Sequence, residues 1–349
     1  IALADAAAAR ARRAGDQTGE MLARVVAAHR RVWVGLENVD ELDKLVHAAL
    51  PLLEQADDHA GLRHVWYALG YGVCNLRGRF EDAAKAYDEA LRHDRLAGEL
   101  RTGISGGPLR MLPYGPSPAG EVLSRIDELL AERETPLLLL GRARVLAMLG
   151  RFEEARQITA EVSGQSRAFS DFPDLQLAGS EIAARAGDHE TAALHLRRFC
   201  DSIEEHAGSS APGLLAYLPR LGRELCALGR YDEAEQLARR VRELAPHRDV
   251  NIEVLWRQVQ ALVHAHRGEH AEAEQLAREA VEIGERTDAL NTQGDAYCDL
   301  AEVLEAAGRP AEAAAALDYA LDRYRRKENL AMVAQVEQRL ERLRATATA

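Results

Sequence analysis

Four carboxylates follow one side of a predicted helix near the end of the sequence, where paired acids could transfer protons. They recur at intervals of four, three and three residues, a spacing that places side chains on one helix face. They are Asp295, Asp299, Glu302 and Glu305. Because neither a nucleophile nor an apolar pocket is visible beside them, we interpret them as an ion-paired or solvated acidic stripe. Arg339 and Arg342 of the last predicted helix are the candidate cations opposite it.

Histidine and cysteine, the usual nitrogen and sulfur ligands of zinc, do not form a ligand set. His264 and His266 are two residues apart and point to different sides of a helix, and a predicted turn at Gly268 separates both from His270. The cysteines are scattered, without a CxxC pair, at Cys74, Cys200, Cys226 and Cys298. We therefore predict reduced, buried thiols and no metal site.

Nucleotide chemistry leaves no signature in this sequence. A phosphate-binding Walker A loop requires Gly-Lys-Ser/Thr, whereas the three lysines follow Asp43, Ala84 and Arg326. Neither a GxSxG nucleophile elbow nor an HExxH zinc motif occurs. We therefore predict no catalytic residue, no cofactor and no enzymatic activity for this chain.

The amino-acid composition excludes some classes of partner and indicates a cellular compartment. The 349 residues carry a net charge of −12, which argues against nucleic acid because phosphate contacts need a basic face. No apolar run is long enough to span a membrane, and no segment resembles a signal peptide. With its scattered cysteines, the chain is predicted to be cytoplasmic. It begins inside a helical pattern without methionine, so we expect it to be cut from a longer protein.

A short motif that contains glycine, called the glycine phrase below, recurs along the chain and indicates where helices should end. Leu228 to Ala234 reads LGRYDEA between two apolar-periodic runs. Gly229 can take the left-handed conformation that ends a helix, and the acids that follow suit the first turn of the next helix. Similar phrases, two of them weaker, repeat with a period of about 40 residues. The turn glycines are Gly35, Gly78, Gly115, Gly150, Gly187, Gly229, Gly268 and Gly308, and the weaker copies start at Gly35 and Gly115.

This period predicts an all-α fold: a right-handed superhelical solenoid of about eight helix-turn-helix repeats with a C-terminal capping helix. One stretch interrupts it, because residues 103–120 contain many prolines and glycines, which are unfavourable inside helices. We predict an irregular joint there. N-terminal repeats, truncated at their start, occupy 1–102, and C-terminal repeats with the capping helix occupy 121–344. Residues 345–349 are predicted to fray.

The repeated residues resemble a known family. Within Leu221 to Pro246, the LG pair, the later Gly, Tyr and Ala, and the closing Pro follow the tetratricopeptide repeat. The period exceeds the roughly 34 residues of the standard repeat, which implies longer helices or linkers. The run from Asp249 to Asn329 is similar to the C-terminal repeats of bacterial signalling proteins. Those proteins carry a STAND/AAA ATPase preceded by a nucleotide cyclase-like or DNA-binding domain, whose motifs this chain lacks.

In tetratricopeptide arrays the first helix of each hairpin lines a concave groove. Aligning the turn glycines with that frame places three arginines on the inner side of successive repeats, with polar residues beside them. The implied groove residues are Arg144, Arg185, Arg223, Asn75, Glu181, Gln258, Glu302 and Glu305. The arginines could clamp the carboxylates of an acidic segment, or each could pair with a glutamate of the neighbouring repeat. Trp33, Trp66 and Trp256 also recur on first helices, where packing and ligand stacking are both open.

The resemblance implies a protein–protein interaction or autoregulatory arm of a bacterial signalling ATPase or regulator. Its partner would be a protein or peptide, such as an acidic segment or the missing N-terminal domains of the same protein, and not nucleic acid or membrane. One alternative is a free-standing cytoplasmic adaptor of the same fold. Another is a sensor that binds a small ligand or peptide in the groove.

Overall fold

The computed structural model describes residues 1–34, 38–98, 112–165, 173–208, 211–244 and 249–347. Within these ranges the chain forms seventeen α-helices and no strand, which confirms the predicted all-α repeat class. The chain divides into two compact units, 1–115 and 116–349. The division falls inside the predicted joint, of which residues 103–111 lie outside the described ranges. The domain boundaries themselves stay a prediction.

The first unit contains five helices that pack in sequence as antiparallel neighbours. They are α1 Ala2–Ala14, α2 Gln17–Trp33, α3 Val39–Gln55, α4 His59–Tyr67 and α5 Phe80–Leu96. A π-helix, Ala68–Cys74, continues α4. Gly70 and Gly72 let neighbouring rings approach it closely, because a Cβ at Gly70 would lie 2.8 Å from the Tyr87 ring and one at Gly72 would lie 2.7 Å from His29.

The second unit contains twelve helices within the described ranges. They are α6 Ala119–Glu132, α7 Pro136–Met148, α8 Phe152–Gln165, α9 Pro173–Arg185, α10 His189–Ala207, α11 Pro212–Ala227, α12 Tyr231–Leu244, α13 Val250–His266, α14 His270–Glu285, α15 Leu290–Ala306, α16 Pro310–Lys327 and α17 Leu330–Ala347. Five hairpins run from α7/α8 to α15/α16, and first helices of neighbouring hairpins pack together, as α7 does on α9 and α13 does on α15. The last helix extends to Ala347, so the predicted frayed tail from 345 is helical over three residues.

Glycine and alanine of the recurring phrase have the predicted roles. The six glycines of the stronger copies have φ between 67° and 79°, and each ends a helix; they are Gly78, Gly150, Gly187, Gly229, Gly268 and Gly308. Gly35 lies outside the described ranges. Gly115 does not form such a turn, because it follows a 3₁₀ turn at Leu112–Tyr114 and has no positive φ. The phrase alanines are fully buried between paired helices: Ala83, Ala155, Ala192, Ala234, Ala273 and Ala313.

Buried apolar clusters join neighbouring helices inside each unit. In the first unit, Val25, Leu42 and Leu62 belong to one buried cluster that joins α2, α3 and α4. In the second unit, α17 adds Val336 and Leu340 to a cluster built mainly by α13 to α16. None of the helices within the described ranges combines the length and hydropathy that crossing a bilayer requires.

Candidate interaction surfaces

Glu181 is the centre of an arginine cluster inside the second unit. Arg144 of α7 grips the carboxylate of Glu181 of α9 with two hydrogen bonds, Nη2 to Oε1 at 2.8 Å and Nε to Oε2 at 3.0 Å. Arg185, one turn further along α9, donates from Nη1 to Oε2 at 3.2 Å and to the Glu181 carbonyl oxygen at 3.0 Å. Arg220 of α11 approaches Oε1 to 3.7 Å. The cluster therefore connects three successive hairpins through one carboxylate.

Both members of the central pair are buried. Arg144 is 3% exposed and Glu181 is 8% exposed. Burial by itself would raise the pKa of the Glu181 carboxyl, but the attraction of Arg144, followed by that of Arg185, outweighs it, and the pKa lies below its usual range. Glu181 is therefore ionised at neutral pH, and the pair holds α7 to α9 as a charge-assisted contact.

Arg223 makes a second connection, between hairpins that are not neighbours in sequence. From α11 it donates to Asp299 of α15, Nε to Oδ2 at 2.9 Å and Nη2 to Oδ1 at 2.8 Å, and its Nη1 lies 3.5 Å from Asp295. Tyr324 of α16 donates its hydroxyl to Asp295 at 2.6 Å. Burial lowers and the two aspartates raise the pKa of Arg223, and the aspartates prevail. The inner side chains of α11 and α15 thus meet directly.

These contacts show which carboxylates pair with the three predicted groove arginines. Arg144 and Arg185 contact Glu181, and Arg223 contacts Asp299. The alternative, that each arginine pairs with a glutamate of the neighbouring repeat, describes Arg144 in this structure. Arg185 pairs within its own helix, and Arg223 pairs with an aspartate two hairpins further along the chain. The role of all three in binding a partner stays a prediction.

The remaining predicted groove residues differ in burial and in their contacts. Gln258 of α13 is fully buried, and its amide has no hydrogen-bond partner among the described residues. Glu302 is exposed, whereas Glu305 pairs with Arg339 of α17, Nε to Oε1 at 2.8 Å, as the acidic-stripe interpretation proposed. Asn75 is buried after the π-helix of the first unit.

Half-buried aromatic rings, which the sequence analysis did not single out as a group, line the first helices of the first unit. The Trp33 and Tyr71 rings stack at 4.5 Å, and Tyr67 lies 5.6 Å from Tyr71. Trp33 donates its indole N–H to His29 Nε2 at 2.9 Å, and burial lowers the pKa of His29 to about 4, which keeps the ring a neutral acceptor. We call His29, Trp33, Tyr67 and Tyr71 the aromatic row. Its sequence signal is a pair of i, i+4 spacings.

A cavity of about 470 Å³ lies in the same unit, and its lining does not include the aromatic row. The π-helix supplies part of its apolar wall through Leu69, Val73 and Cys74, with Trp66 beside them. Charged side chains of both signs from α3 and α5, such as Asp43 and Lys85, complete the lining. Because π-helical turns often occur at functional sites, this cavity is a second candidate binding surface.

The cysteines are buried or half-buried, and two of the histidines near Gly268 contact other side chains. Cys74, Cys200 and Cys226 are buried, and burial raises the pKa of the Cys74 thiol to about 11. His264 contacts Glu269, and His266 stacks on Tyr231 at 3.8 Å. No group of three potential metal ligands lies together in the part of the chain that the structure describes.

Comparison with known proteins identifies the repeats of the second unit. Two sequence profiles, both described as tetratricopeptide repeat, match residues 214–245 and 261–287, and residues 136–161 and 293–318. The matches cover the hairpins α7/α8, α11/α12, α13/α14 and α15/α16 wholly or in part. These segments are therefore recognised as tetratricopeptide repeats. No curated protein sequence matches the chain.

One solved structure shares the fold at low sequence identity, and two others match less closely. A chain of the crystal structure of the APC/C hetero-tetramer Cut9-Hcn1 matches 86% of this chain with 14% identity and a TM-score of 0.59. This chain spans about half of that one, 54% of its length. A Rap protein complexed with competence and sporulation factor matches 94% of this chain and 86% of its own, with 12% identity and a TM-score of 0.47. NprR in complex with its cognate peptide NprX matches 84% and 90%, with 11% identity and a TM-score of 0.47.

Proposed function

We propose that this chain is the protein-interaction or autoregulatory arm of a bacterial signalling ATPase or regulator, acts in the cytoplasm and has no catalytic role itself. The tetratricopeptide repeats support an interaction function, because stacked hairpins offer long surfaces to partners. The sequence resemblance of Asp249 to Asn329 supports the signalling context. The partner would be an acidic segment of another protein or of further domains of the same protein.

The observation that carries the proposal is the aromatic row of the first unit. Trp33 and Tyr71 are only half-buried although they stack on each other. Arg30 is exposed three residues before Trp33, on the adjoining side of α2. Aromatic rings beside a cation are the kind of anchors on which interfaces depend. The row therefore offers stacking area and a positive charge for an acidic peptide that carries an apolar side chain.

Peptide display against the purified chain tests this function. Selected peptides should be acidic, and a synthetic copy should bind the chain in calorimetry. We expect Tyr71→Ala to weaken that binding about tenfold or more, since a truncated anchor commonly costs above 1 kcal/mol. The matched control is Tyr319→Ala, because Tyr319 stacks on Tyr297 but lies in the second unit. Selections without an enriched sequence, or equal losses in both variants, would contradict the proposal.

The non-catalytic part of the proposal has its own measurement. No phosphate-binding loop exists in the sequence, so the purified chain should neither bind nor hydrolyse ATP. Calorimetry with ATP and magnesium at micromolar concentrations measures binding directly. A saturable heat signal would overturn this part and leave the peptide result unaffected.

The second candidate function is a small-ligand sensor, which the cavity beside the π-helix favours. Its volume of about 470 Å³ suits a small molecule, and its lining combines apolar and charged side chains. Screening a library of amphipathic metabolites by thermal shift, with Cys74→Leu to fill the cavity, separates this function from peptide binding. A ligand whose shift vanishes in that variant would support the sensor.

A further inference from the structure

The two ends of the second unit meet in space. Lys327, the last residue of α16, donates from Nζ to the carbonyl oxygen of Ser117 at 2.6 Å. Glu328 accepts the backbone N–H of Gly120 at 2.9 Å through Oε2. Ser117 and Gly120 flank the start of α6, so the junction between α16 and α17 is fastened to the first helix of the unit.

Lys327 is an unusual residue for such a contact. It is 0% exposed, and a buried ammonium group is unfavourable unless it is hydrogen-bonded. Burial, and then the charge of Arg185, lower the pKa of Lys327 to about 8. A methionine would fill the same volume without this desolvation, so packing alone does not account for a lysine here.

Glu328 adds two independent signs of constraint. It has φ 55°, a left-handed conformation that residues other than glycine rarely adopt. Its carboxylate also supplies a cap that α6 lacks locally, because the residue before α6 is Pro118, which makes no side-chain cap. Glycine at 328 would relax the backbone but would leave the Gly120 N–H without this acceptor.

Asn329 continues the connection to the middle of the unit. Its side chain is nearly inaccessible and donates from Nδ2 to Asn291 Oδ1 of α15 at 2.8 Å. Asn291 in turn donates from Nδ2 to Met148 Sδ of α7 at 3.8 Å. Asn329 also accepts the Met332 N–H at 3.4 Å, in the first turn of α17. Three consecutive residues thus hold α6, α15 and α17 together.

The last helix is placed across the unit as a consequence. It packs on α16 and also contacts α7, the first helix of the first complete hairpin. Gln335 of α17 donates to the carbonyl oxygen of Arg185 at 2.8 Å, and Arg339 donates to the carbonyl oxygen of Cys298 at 3.3 Å. The hairpins of the unit therefore close on themselves through α17.

We propose that Lys327, Glu328 and Asn329 form a latch that keeps the second unit closed, and that its release frees α17 from α7 and from its Arg339 contact at Cys298 of α15, while the hairpins between α6 and α17 stay folded. The latch is a set of polar contacts at one junction, whereas the hairpins are held by buried apolar clusters to which α17 contributes few residues, so the junction is the weaker part. Opening would uncover Met148 and the inner side of α9, where the Glu181 cluster lies. This proposal does not depend on the peptide-binding function.

Hydrogen exchange of the full chain tests the latch. Glu328→Gly removes the carboxylate and relaxes the backbone, so it should not harm folding of the junction itself. We expect amides in the first turns of α6 and α17 and at the end of α7 to exchange about tenfold faster, with α11 to α14 unchanged. The matched control is Asp188→Ala, which removes the cap that the Asp188 carboxylate gives Thr191 N–H of α10 and should speed exchange there alone.

Cysteine labelling provides a second measurement, which distinguishes opening of the latch from general unfolding of the chain. Cys298 of α15 is half-buried, Arg339 of α17 donates to its carbonyl oxygen, and burial raises the pKa of its thiol to about 12. In Glu328→Gly and in Lys327→Met, Cys298 should react with a thiol reagent several-fold faster, while the buried Cys200 and Cys226 keep their rates. Faster exchange confined to Gly120, or unchanged labelling of Cys298 in both variants, would overturn the latch. Equal acceleration of all three cysteines would overturn it as well, since the junction would then not open separately.

Discussion

Inner side chains have different roles in the two units, although the same glycine phrase builds hairpins in both. In the first unit, α2, α4 and the π-helix carry half-buried rings, with Trp33 stacked on Tyr71. In the second unit, the corresponding first helices carry charges, and Arg144 and Arg223 are joined to carboxylates of other hairpins. The phrase therefore determines how a hairpin is made but leaves its inner side free to vary.

The closed arrangement of the second unit explains why its inner side chains are charged and paired. When first helices of distant hairpins meet, as α11 and α15 do through Arg223 and Asp299, their polar side chains lose water and must find partners. A charged inner side then becomes part of the structure instead of an open surface. This is why we assign peptide binding to the aromatic row and structural stability to the Glu181 cluster.

The sharpest test of this comparison is removal of the central carboxylate. Glu181→Gln keeps the shape of the side chain but leaves Arg144 buried without its ionic partner. Breaking a buried pair from one side costs about 3–5 kcal/mol, so the free energy of unfolding should fall by that amount. Urea unfolding followed by Trp256 fluorescence reports on the second unit, provided that Trp33 and Trp66 are replaced by phenylalanine.

Arg197→Gln is the control for that measurement. Arg197 pairs with Glu233 at 3.2 Å, but both side chains are 44% exposed. An exposed pair contributes at most about 1 kcal/mol, so this variant should unfold almost as the parent does. A loss below about 1 kcal/mol in Glu181→Gln would mean that the inner charges are not structural, and the comparison between the units would fail.

A prediction with a smaller effect tests the feature that the two units share, which is the buried alanine of the glycine phrase. Ala83 in the first unit and Ala273 in the second are both fully buried where the two helices of a hairpin approach. Ala83→Leu and Ala273→Leu should each destabilise the chain by about 1–3 kcal/mol through overpacking. Ala271→Leu, on the exposed side of the same first turn as Ala273, is the control and should change little. A loss at only one of the two buried positions would show that the phrase does not build equivalent hairpins.

Local features of this fold could be read from the sequence because they depend on neighbouring residues. Gly229 ends a helix through its own φ, and Ala234 packs within its own hairpin, so the phrase predicted both. Closure of the second unit could not be predicted in this way. The contact of Arg223 with Asp299 depends on small rotations between successive hairpins, which add up along the unit. A local sequence pattern does not determine the total rotation.

The π-helix and the latch escaped prediction for related reasons. In the sequence Gly70 and Gly72 signal only low helix propensity, whereas in the structure they allow the Tyr87 and His29 rings to approach. Lys327 follows two arginines in the sequence, and nothing local indicates its contact with Ser117, 210 residues away. The inner arginines could be located from the sequence. The sequence did not distinguish an arginine that lines an open groove from one that forms an internal ion pair.

The smallest expected effect concerns the pH dependence of the second unit, which the latch lysine influences. The pKa of Lys327 is lowered from 10.5 to about 8 in the folded chain, chiefly by burial and then by Arg185, while Asp288 raises it. Between these values the unfolded chain binds more protons than the folded one, so this group makes stability rise with pH. From pH 8 to pH 9 its contribution should increase by about 1 kcal/mol, since one pKa unit corresponds to about 1.4 kcal/mol.

Other groups titrate in the same range, so the measurement is a difference between two proteins. Burial raises the pKa of Cys226 to about 12, for example, which makes stability fall as pH rises towards that value. Urea unfolding of the parent and of Lys327→Met at pH 7, 8 and 9 cancels such contributions, because both proteins contain them. The parent should gain stability relative to the variant only above about pH 8. A constant difference across the three values would show that Lys327 is not buried in solution, and the closed second unit would lose one of the contacts that distinguish it from the first.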